Sequence, residues 1–299
     1  MIKYRKTKGV YLMKIGVSSY SFSKYLSSTK CGYLKICDIA KEIGFDGIEF
    51  VNLNNKSWGI EGDEIAMAKE IKKYCEGIGL EIAAYTVGAN LLADDIDAEV
   101  AKLKHCVDVC QALGAPVMRH DVVYKLRDIP LYSYEDAIRE IAPVIREVTE
   151  YAAERGIRTC TENHGFIFQS PDRVEELILA VDHKNYGWLC DMGNFLCADA
   201  DPAESVFVAA PYTFHAHAKD FLFKPADIEK PEGYQITTVM GNHIRGTVVG
   251  HGVVPVRQCV NILRRAGYDG YLSLEFEGPE DNIAAIEAGY KNLRKYVNS

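Results

Sequence analysis

The chain has 299 residues, of which 48% are hydrophobic and 25% are charged, a composition typical of a globular protein with a large buried core. The formal net charge of −8 and the pI near 5.6 disfavour nucleic acid as a partner, because binding to a phosphate backbone needs a basic surface. No low-complexity stretch interrupts the sequence, and the length alone allows one large domain or two small ones.

Residues 1–12 are predicted to be an N-terminal extension. Residues 1–8 are basic, but the apolar stretch 9–13 is too short for the core of a signal peptide and leads directly into a strand. Met13 reads as a natural start. The nine cysteines are an odd number spread singly along the chain, which favours reduced thiols over a disulfide framework. We therefore expect a cytoplasmic protein that neither enters a membrane nor is exported.

A glycine recurs where an amphipathic segment gives way to an apolar run. It marks a helix-to-strand turn, since glycine readily adopts the left-handed conformation just past a helix end. These glycines are Gly44, Gly79, Gly114, Gly156 and Gly267. Two junctions are near copies, GFDGIEF at 44–50 and GYDG at 267–270. A chain built from repeated βα units is expected to show such copies.

Period-two patterns and these turns predict eight strands, each followed by a helix-like segment. The strands lie near residues 14–19, 47–51, 81–86, 116–120, 157–162, 187–191, 213–217 and 271–276. Helix starts are marked by Ser133, Ser170 and Asp201, the last two standing before a proline. The count predicts an α/β fold, a (β/α)8 TIM barrel in a single domain over 1–299. An open doubly wound sheet is the alternative, but residues 18–22 are not its glycine-rich phosphate loop.

Four consecutive strands in the C-terminal half end in Glu162, Asp191, His217 and Glu275. The strand ends of a barrel converge on one face, so these side chains can meet around one ion. Three carboxylates and one imidazole suit Mn²⁺, with Mg²⁺, Co²⁺ or Zn²⁺ as alternatives, and leave positions for water or a bidentate substrate. Each residue alone would more often be a solvated or hydrogen-bonded strand end. Together they predict a metal site.

The sequence resembles the xylose isomerase-like TIM-barrel superfamily, and within it the sugar phosphate isomerase/epimerase family. Relatives there are D-tagatose 3-epimerase, hydroxypyruvate isomerase, inosose dehydratase and endonuclease four. The resemblance covers residues 14–297 and rests on the motifs IGVSS at 15–19, GFDGIE at 44–49, ENHG at 162–165, DMGN at 191–194, HAKD at 217–220 and EFEG at 275–278. It implies that the four strand-end residues are the divalent-metal ligands. In the family's epimerases the residues matching Glu162 and Glu275 also move protons.

These residues predict a metal-dependent isomerase or epimerase acting on a ketose or sugar phosphate. A metal that chelates the carbonyl and a neighbouring hydroxyl stabilises an enediolate, while Glu162 and Glu275 take and return the proton. The alternative is a lyase or dehydratase on a keto-sugar or keto-inositol, since the same enediolate can expel a β-hydroxyl. A nuclease like endonuclease four is disfavoured, because Asn194 stands at the spacing of a histidine ligand of that enzyme. A non-catalytic barrel that binds a ligand is the remaining alternative.

Other polar residues are predicted to contact a small sugar substrate. His164 could instead brace its loop, Lys219 could pair with Asp220, and Glu49 could form a salt bridge inside the barrel mouth. His120 ends the fourth strand and is predicted to line the pocket.

The long stretch 221–251 has no clear pattern and is predicted to be functional, as a lid. Its Arg245 and His251 are candidates for substrate contact. Assembly into a homo-oligomer is left open by the sequence.

Overall fold

The computed structural model describes residues 13–299, so the predicted extension 1–12 lies outside the described residues. The strands are β1 (Lys14–Ser18), β2 (Gly47–Val51), β3 (Glu81–Val87), β4 (Val117–His120), β5 (Arg158–Glu162), β6 (Tyr186–Asp191), β7 (Thr213–Ala218), β8 (Asp220–Lys224), β9 (Ile236–Thr237), β10 (His243–Thr247) and β11 (Tyr271–Leu274). Strands β1 to β7 and β11 pair in parallel into a closed barrel, in which β11 lies between β7 and β1. The predicted TIM barrel is confirmed, and all eight predicted strands are present.

Helices surround the barrel between successive strands. They are α1 (Ser23–Thr29), α2 (Gly32–Ile43), α3 (Glu64–Ile78), α4 (Ile96–Leu113), α5 (Tyr134–Ala153), α6 (Pro171–Val181), α7 (Pro202–Ala209), α8 (Val256–Ala266) and α9 (Asn282–Val297). Ser133 caps α5 in a capping box with Asp136, and the Asp201 carboxylate accepts the backbone N–H of Glu204 at the start of α7. Within residues 13–299 no helix combines the length and the apolar character needed to cross a membrane.

The direction of each side chain in the barrel follows from strand alternation. Ala84, Val117, Cys160 and Leu189, from four adjacent strands, form their own buried cluster, separate from the large core between strands and helices. This cluster is the barrel interior, because successive residues of a strand point to opposite faces. The residue two positions further along each strand faces the C-terminal mouth on the same side. Those residues are Thr86, Arg119, Glu162 and Asp191.

The stretch 221–251 is more ordered than its sequence suggests. It contributes to a three-stranded antiparallel sheet in the order β8–β10–β9, in which β10 pairs with β8 from His243 opposite Lys224 to Thr247 opposite Asp220. Phe221 and Ile244 pack with Cys197 as a small satellite core. The sheet therefore stands directly after β7, the strand that carries His217. A lid movement of this sheet stays a prediction.

The buried carboxylate of Asp220 holds the turn at residues 250–254, which follows the three-stranded sheet. Its oxygens accept the backbone N–H groups of Gly250 at 2.9 Å, Gly252 at 2.8 Å and Val254 at 3.0 Å. A side chain at position 252 would meet Asp220, since a Cβ there would lie 2.1 Å from the carboxylate Oδ1. Asp220 thus fixes the turn that leads into α8.

Candidate metal centre

Four side chains converge at the C-terminal mouth of the barrel. One ligand atom from each of Glu162, Asp191, His217 and Glu275 lies within 4.8 Å of the others. His217 Nδ1 is 3.7 Å from Glu162 Oε1, 3.7 Å from Asp191 Oδ2 and 3.6 Å from Glu275 Oε2. All four residues are buried. The structure thus brings together the four residues that the sequence proposes as ligands.

The chemistry of this group fits a divalent cation. His217 Nδ1 and Asp191 Oδ2 are buried and have no hydrogen-bond partner among residues 13–299, although the Lys219 ammonium lies 3.4 Å from that oxygen as an ion pair. Buried polar atoms without partners cost free energy, and a cation between them would satisfy both. Three carboxylates and one imidazole form the oxygen-rich donor set expected for such an ion.

Glu49 holds the imidazole of His217 from behind. Its Oε1 accepts from His217 Nε2 at 2.8 Å, and its Oε2 accepts from His215 Nε2 at 2.6 Å. Burial raises the pKa of Glu49, but the two histidines outweigh it and hold the pKa well below its ordinary value. With Nε2 donating to Glu49, His217 presents Nδ1 to the other ligands. The sequence offered two roles for Glu49, a substrate contact or a salt bridge inside the barrel mouth. The structure pairs both carboxylate oxygens with histidines, which agrees with the salt bridge.

Arg119 is a functional candidate that sequence reasoning missed. Its Nη2 lies 2.7 Å from Glu162 Oε2 and 2.6 Å from Asp121 Oδ1, while Asn194 Nδ2 donates to Glu162 Oε1 at 2.8 Å. Burial raises the pKa of Glu162, but the charge of Arg119, joined by that of His217, lowers it below its ordinary value. Both oxygens of Glu162 are therefore engaged by neighbouring side chains.

His164 stands at the rim of the same mouth. Its side chain is 44% exposed, and Nδ1 lies 3.1 Å from Asp121 Oδ1. The other Asp121 oxygen accepts from the Tyr124 hydroxyl at 2.7 Å. Burial lowers the pKa of His164, but the bond to Asp121 and the charge of Glu162 raise it above its ordinary value. His164, two residues beyond the candidate ligand Glu162, is therefore braced by the carboxylate of Asp121.

Lys219 lies among the carboxylates and is almost fully buried. Its Nζ is 2.6 Å from Glu275 Oε2, 3.4 Å from Asp191 Oδ2 and 3.5 Å from Glu277 Oε2. The ion pair with Asp220 that the sequence left open does not form, because the Asp220 oxygens accept backbone N–H groups. Lys219 therefore belongs to the mouth of the barrel.

Three other candidates make none of their recorded contacts with this group. His120 is fully buried on the opposite side of β4 from Arg119, with its ring 6.0 Å from that of Tyr186 and its Nδ1 2.8 Å from the Asp121 carbonyl oxygen. It does not line the mouth as predicted, since alternation points it toward the helices. Arg245 lies on β10 over the ring of Tyr234, and His251 is exposed in the turn that Asp220 fastens.

Comparison with known proteins gives one family match. The family described as "Xylose isomerase-like TIM barrel" matches residues 37–296. Among curated proteins, the chain is similar to inosose dehydratase of Lacticaseibacillus casei, with 24% identity over 280 residues, which cover 88% of this chain and 91% of the relative. It is also similar to a probable ketose 3-epimerase of Synechocystis sp., with 26% identity over 191 residues, which cover 57% of this chain and 66% of the relative.

Solved structures share the fold. The probable 3-DHS dehydratase AsbF from Bacillus anthracis superposes with a TM-score of 0.72 at 20% identity, covering 94% of this chain and 99% of that one. The IOLI protein, which has a bound zinc atom, superposes with a TM-score of 0.73 at 16% identity, covering 96% of this chain and 98% of that one. A Mycobacterium smegmatis barrel protein in complex with magnesium superposes with a TM-score of 0.69 at 15% identity, covering 97% of this chain and 98% of that one. These structures share the fold, and two of them hold a divalent metal. The family match over residues 37–296 confirms the predicted superfamily.

Proposed function

Because the chain belongs to the xylose isomerase-like TIM barrel family, we propose that it is a divalent-metal-dependent lyase that removes water from a polyhydroxylated ketone, a keto-inositol or keto-sugar. The sequence alone favoured an isomerase or epimerase and kept the lyase as the alternative. The relatives now favour that alternative, since the dehydratase of L. casei is matched over 91% of its length and the ketose 3-epimerase over 66%.

The position of His164 is the observation that carries the proposal. Elimination of a β-hydroxyl needs a base for the carbon-bound proton and a separate acid for the leaving oxygen. His164 is held by Asp121 at 3.1 Å, and Asp121 in turn shares the Arg119 guanidinium with Glu162. His164 is thus tied to the cluster of four candidate ligands without being one of them. A two-glutamate epimerase would instead need Glu162 as a proton carrier, and both its oxygens are bonded to Arg119 and Asn194.

The residues divide the reaction as follows. Glu275 contacts Lys219 and His217 through Oε2, and we assign its other oxygen as the base. Glu275 removes the proton from the carbon beside the carbonyl, a carbon–carbon double bond forms, and the β carbon–oxygen bond breaks. His164 gives a proton to the leaving hydroxyl, which departs as water. Glu162, Asp191, His217 and Glu275 would hold a divalent ion, for which we propose Mn²⁺; when bound, it would polarise the ketone and stabilise negative charge on its oxygen.

A substrate panel in deuterium oxide tests the proposal. The Mn²⁺-loaded chain is incubated with keto-inositols, ketoses and ketose phosphates, and products are weighed by mass spectrometry. Loss of water from a keto-inositol or keto-sugar is the expected result. Deuterium gained without loss of water would identify an isomerase or epimerase instead.

A variant at His164 separates the acid from the metal site. His164→Gln should bind Mn²⁺ as the wild type does and still exchange substrate protons, while elimination slows by about 100-fold or more, as expected for loss of a general acid. His105→Gln is the matched control, because His105 pairs with Glu64 on the outer helices and should change neither rate. Undiminished elimination by His164→Gln would remove His164 from the mechanism.

Isomerisation or epimerisation is the second candidate. One oxygen each of Glu162 and Glu275 lies within the same 4.8 Å cluster, so two carboxylates converge on one position. The alignment with a probable ketose 3-epimerase also supports it.

A further inference from the structure

The ammonium group of Lys219 shares its oxygens with the candidate metal position. The atoms Glu275 Oε2 and Asp191 Oδ2 face His217 Nδ1 at 3.6 and 3.7 Å. The same two atoms lie 2.6 and 3.4 Å from Lys219 Nζ. A divalent ion bound by these oxygens would therefore stand next to a buried positive charge. Like charges this close repel strongly where water is excluded.

A second carboxylate is placed to take the ammonium away from the metal ligands. Glu277 Oε2 is 3.5 Å from Lys219 Nζ, and Glu277 is outside the four-ligand cluster. Strand β10 packs against it, since a Cβ on Gly246 would lie 2.7 Å from Glu277 Cγ. Asn194 Oδ1 accepts from Nζ at 3.2 Å and supports the ammonium between the two carboxylates. A lysine ammonium is compact and sits on a flexible stem, so a small rotation changes its partner.

We propose that Lys219 is an internal cation that competes with the divalent metal for Glu275, and that Glu277 receives its ammonium when the metal binds. This inference rests on the proposed function in taking the four ligands as a metal site. It adds a regulation of that site, in which Lys219 lowers the affinity for the metal and Glu277 raises it.

Opposite effects on metal affinity are the signature of this exchange. Mn²⁺ alone is titrated calorimetrically into the metal-stripped full chain. Lys219→Met should bind Mn²⁺ about tenfold more tightly or better, because a nearby like charge is gone. Glu277→Gln should bind it about tenfold more weakly, because the ammonium then has only the metal ligands as charged partners. In the double variant the loss of Glu277 should matter little, since no ammonium remains to be moved.

Matched controls lie at the end of β8 and in the loop that follows it. Lys224→Met and Glu229→Gln make the same charge changes at exposed positions and should leave Mn²⁺ affinity within about twofold of wild type, since exposed charges are screened. Circular dichroism checks each fold, and Lys219→Gln is the replacement if Lys219→Met does not fold. Additive effects in the double variant, or unchanged affinity without the lysine, would overturn the exchange. If neither the wild type nor Lys219→Met bound Mn²⁺, the metal site itself would be overturned. The wild-type titration therefore distinguishes failure of the metal site from failure of the exchange.

Discussion

Replacement of Glu49 by glutamine tests how the metal site is held in place. Glu49 is fully buried, and its two oxygens accept from His217 Nε2 at 2.8 Å and His215 Nε2 at 2.6 Å. Glutamine keeps the shape but offers one acceptor and one donor. The amide NH₂ of the glutamine would then face the N–H of one imidazole, and two donors cannot bond to each other. That histidine either loses its partner or moves its proton to the other ring nitrogen.

The magnitude follows from the bond that is lost. A hydrogen bond to a charged group contributes about 1.5–3 kcal/mol. Loss of a carboxylate that orients a metal-bound histidine typically weakens metal affinity by about 10–100-fold, which corresponds to about 1.4–2.7 kcal/mol. The two figures agree, so Glu49→Gln should weaken Mn²⁺ binding by about one to two orders of magnitude. The same change should lower the free energy of unfolding by about 1–3 kcal/mol, because a buried donor is left unsatisfied.

Calorimetric titration with Mn²⁺ and urea unfolding measure the two effects. Ser273→Ala is the matched control, because it removes a hydroxyl 3.1 Å from His215 Nε2 and leaves the bond between Glu49 and His217 intact. The control should keep wild-type Mn²⁺ affinity. Wild-type affinity in Glu49→Gln would refute the view that this carboxylate orients a ligand.

Three further perturbations test the proposed base, the competition between proton and metal at His217, and the turn that leads into α8. Glu275→Gln should keep the fold, weaken Mn²⁺ binding and reduce proton exchange by about 100-fold or more, and a variant with full exchange in deuterium oxide would contradict the assignment. Burial lowers the pKa of His217, but Glu49 and Glu275 raise it well above its ordinary value. Because Nδ1 must lose its proton to bind metal, the Mn²⁺ affinity should fall as the pH is lowered. An affinity that does not depend on pH would exclude His217 as a ligand. Asp220→Asn should lower the free energy of unfolding by about 1–3 kcal/mol in urea, because buried N–H groups of residues 250–254 lose an acceptor, whereas unchanged stability would show that this turn needs no anchor.

The barrel was predictable because its local signals agree. Each βα unit repeats an apolar run, an amphipathic segment and a glycine, and Gly44 and Gly267 take the left-handed conformation expected past a helix end. The same regularity predicts that the four candidate ligands at the strand ends meet, without any knowledge of distances. Consistency between strand pattern, turn chemistry and topology is what made the site visible in the sequence.

The direction of side chains on β4 was also within reach. Val117 belongs to the barrel interior, so alternation along the strand sends Arg119 to the mouth and His120 toward the helices. Chemical type drew attention to the histidine, whereas strand position would have selected the arginine.

Other contacts could not be deduced from the sequence. The bonds of Glu49 to His215 and His217 span 166 and 168 positions and depend on closure of the barrel, which local patterns do not report. The sheet formed by β8, β9 and β10 is built from short strands among prolines and glycines, so its pattern was too brief to separate from a loop. Lys219 pairs with Glu275 because Asp220 is already used by backbone groups, and competition of this kind appears only in three dimensions.

The most direct test of the metal centre is anomalous diffraction from crystals soaked in Mn²⁺ and measured at the manganese edge. We predict one strong peak at the barrel mouth, within bonding distance of His217 Nδ1 and of oxygens from Glu162, Asp191 and Glu275. A mouth without a peak, at Mn²⁺ concentrations that saturate binding in solution, would contradict the assignment of these four residues as metal ligands.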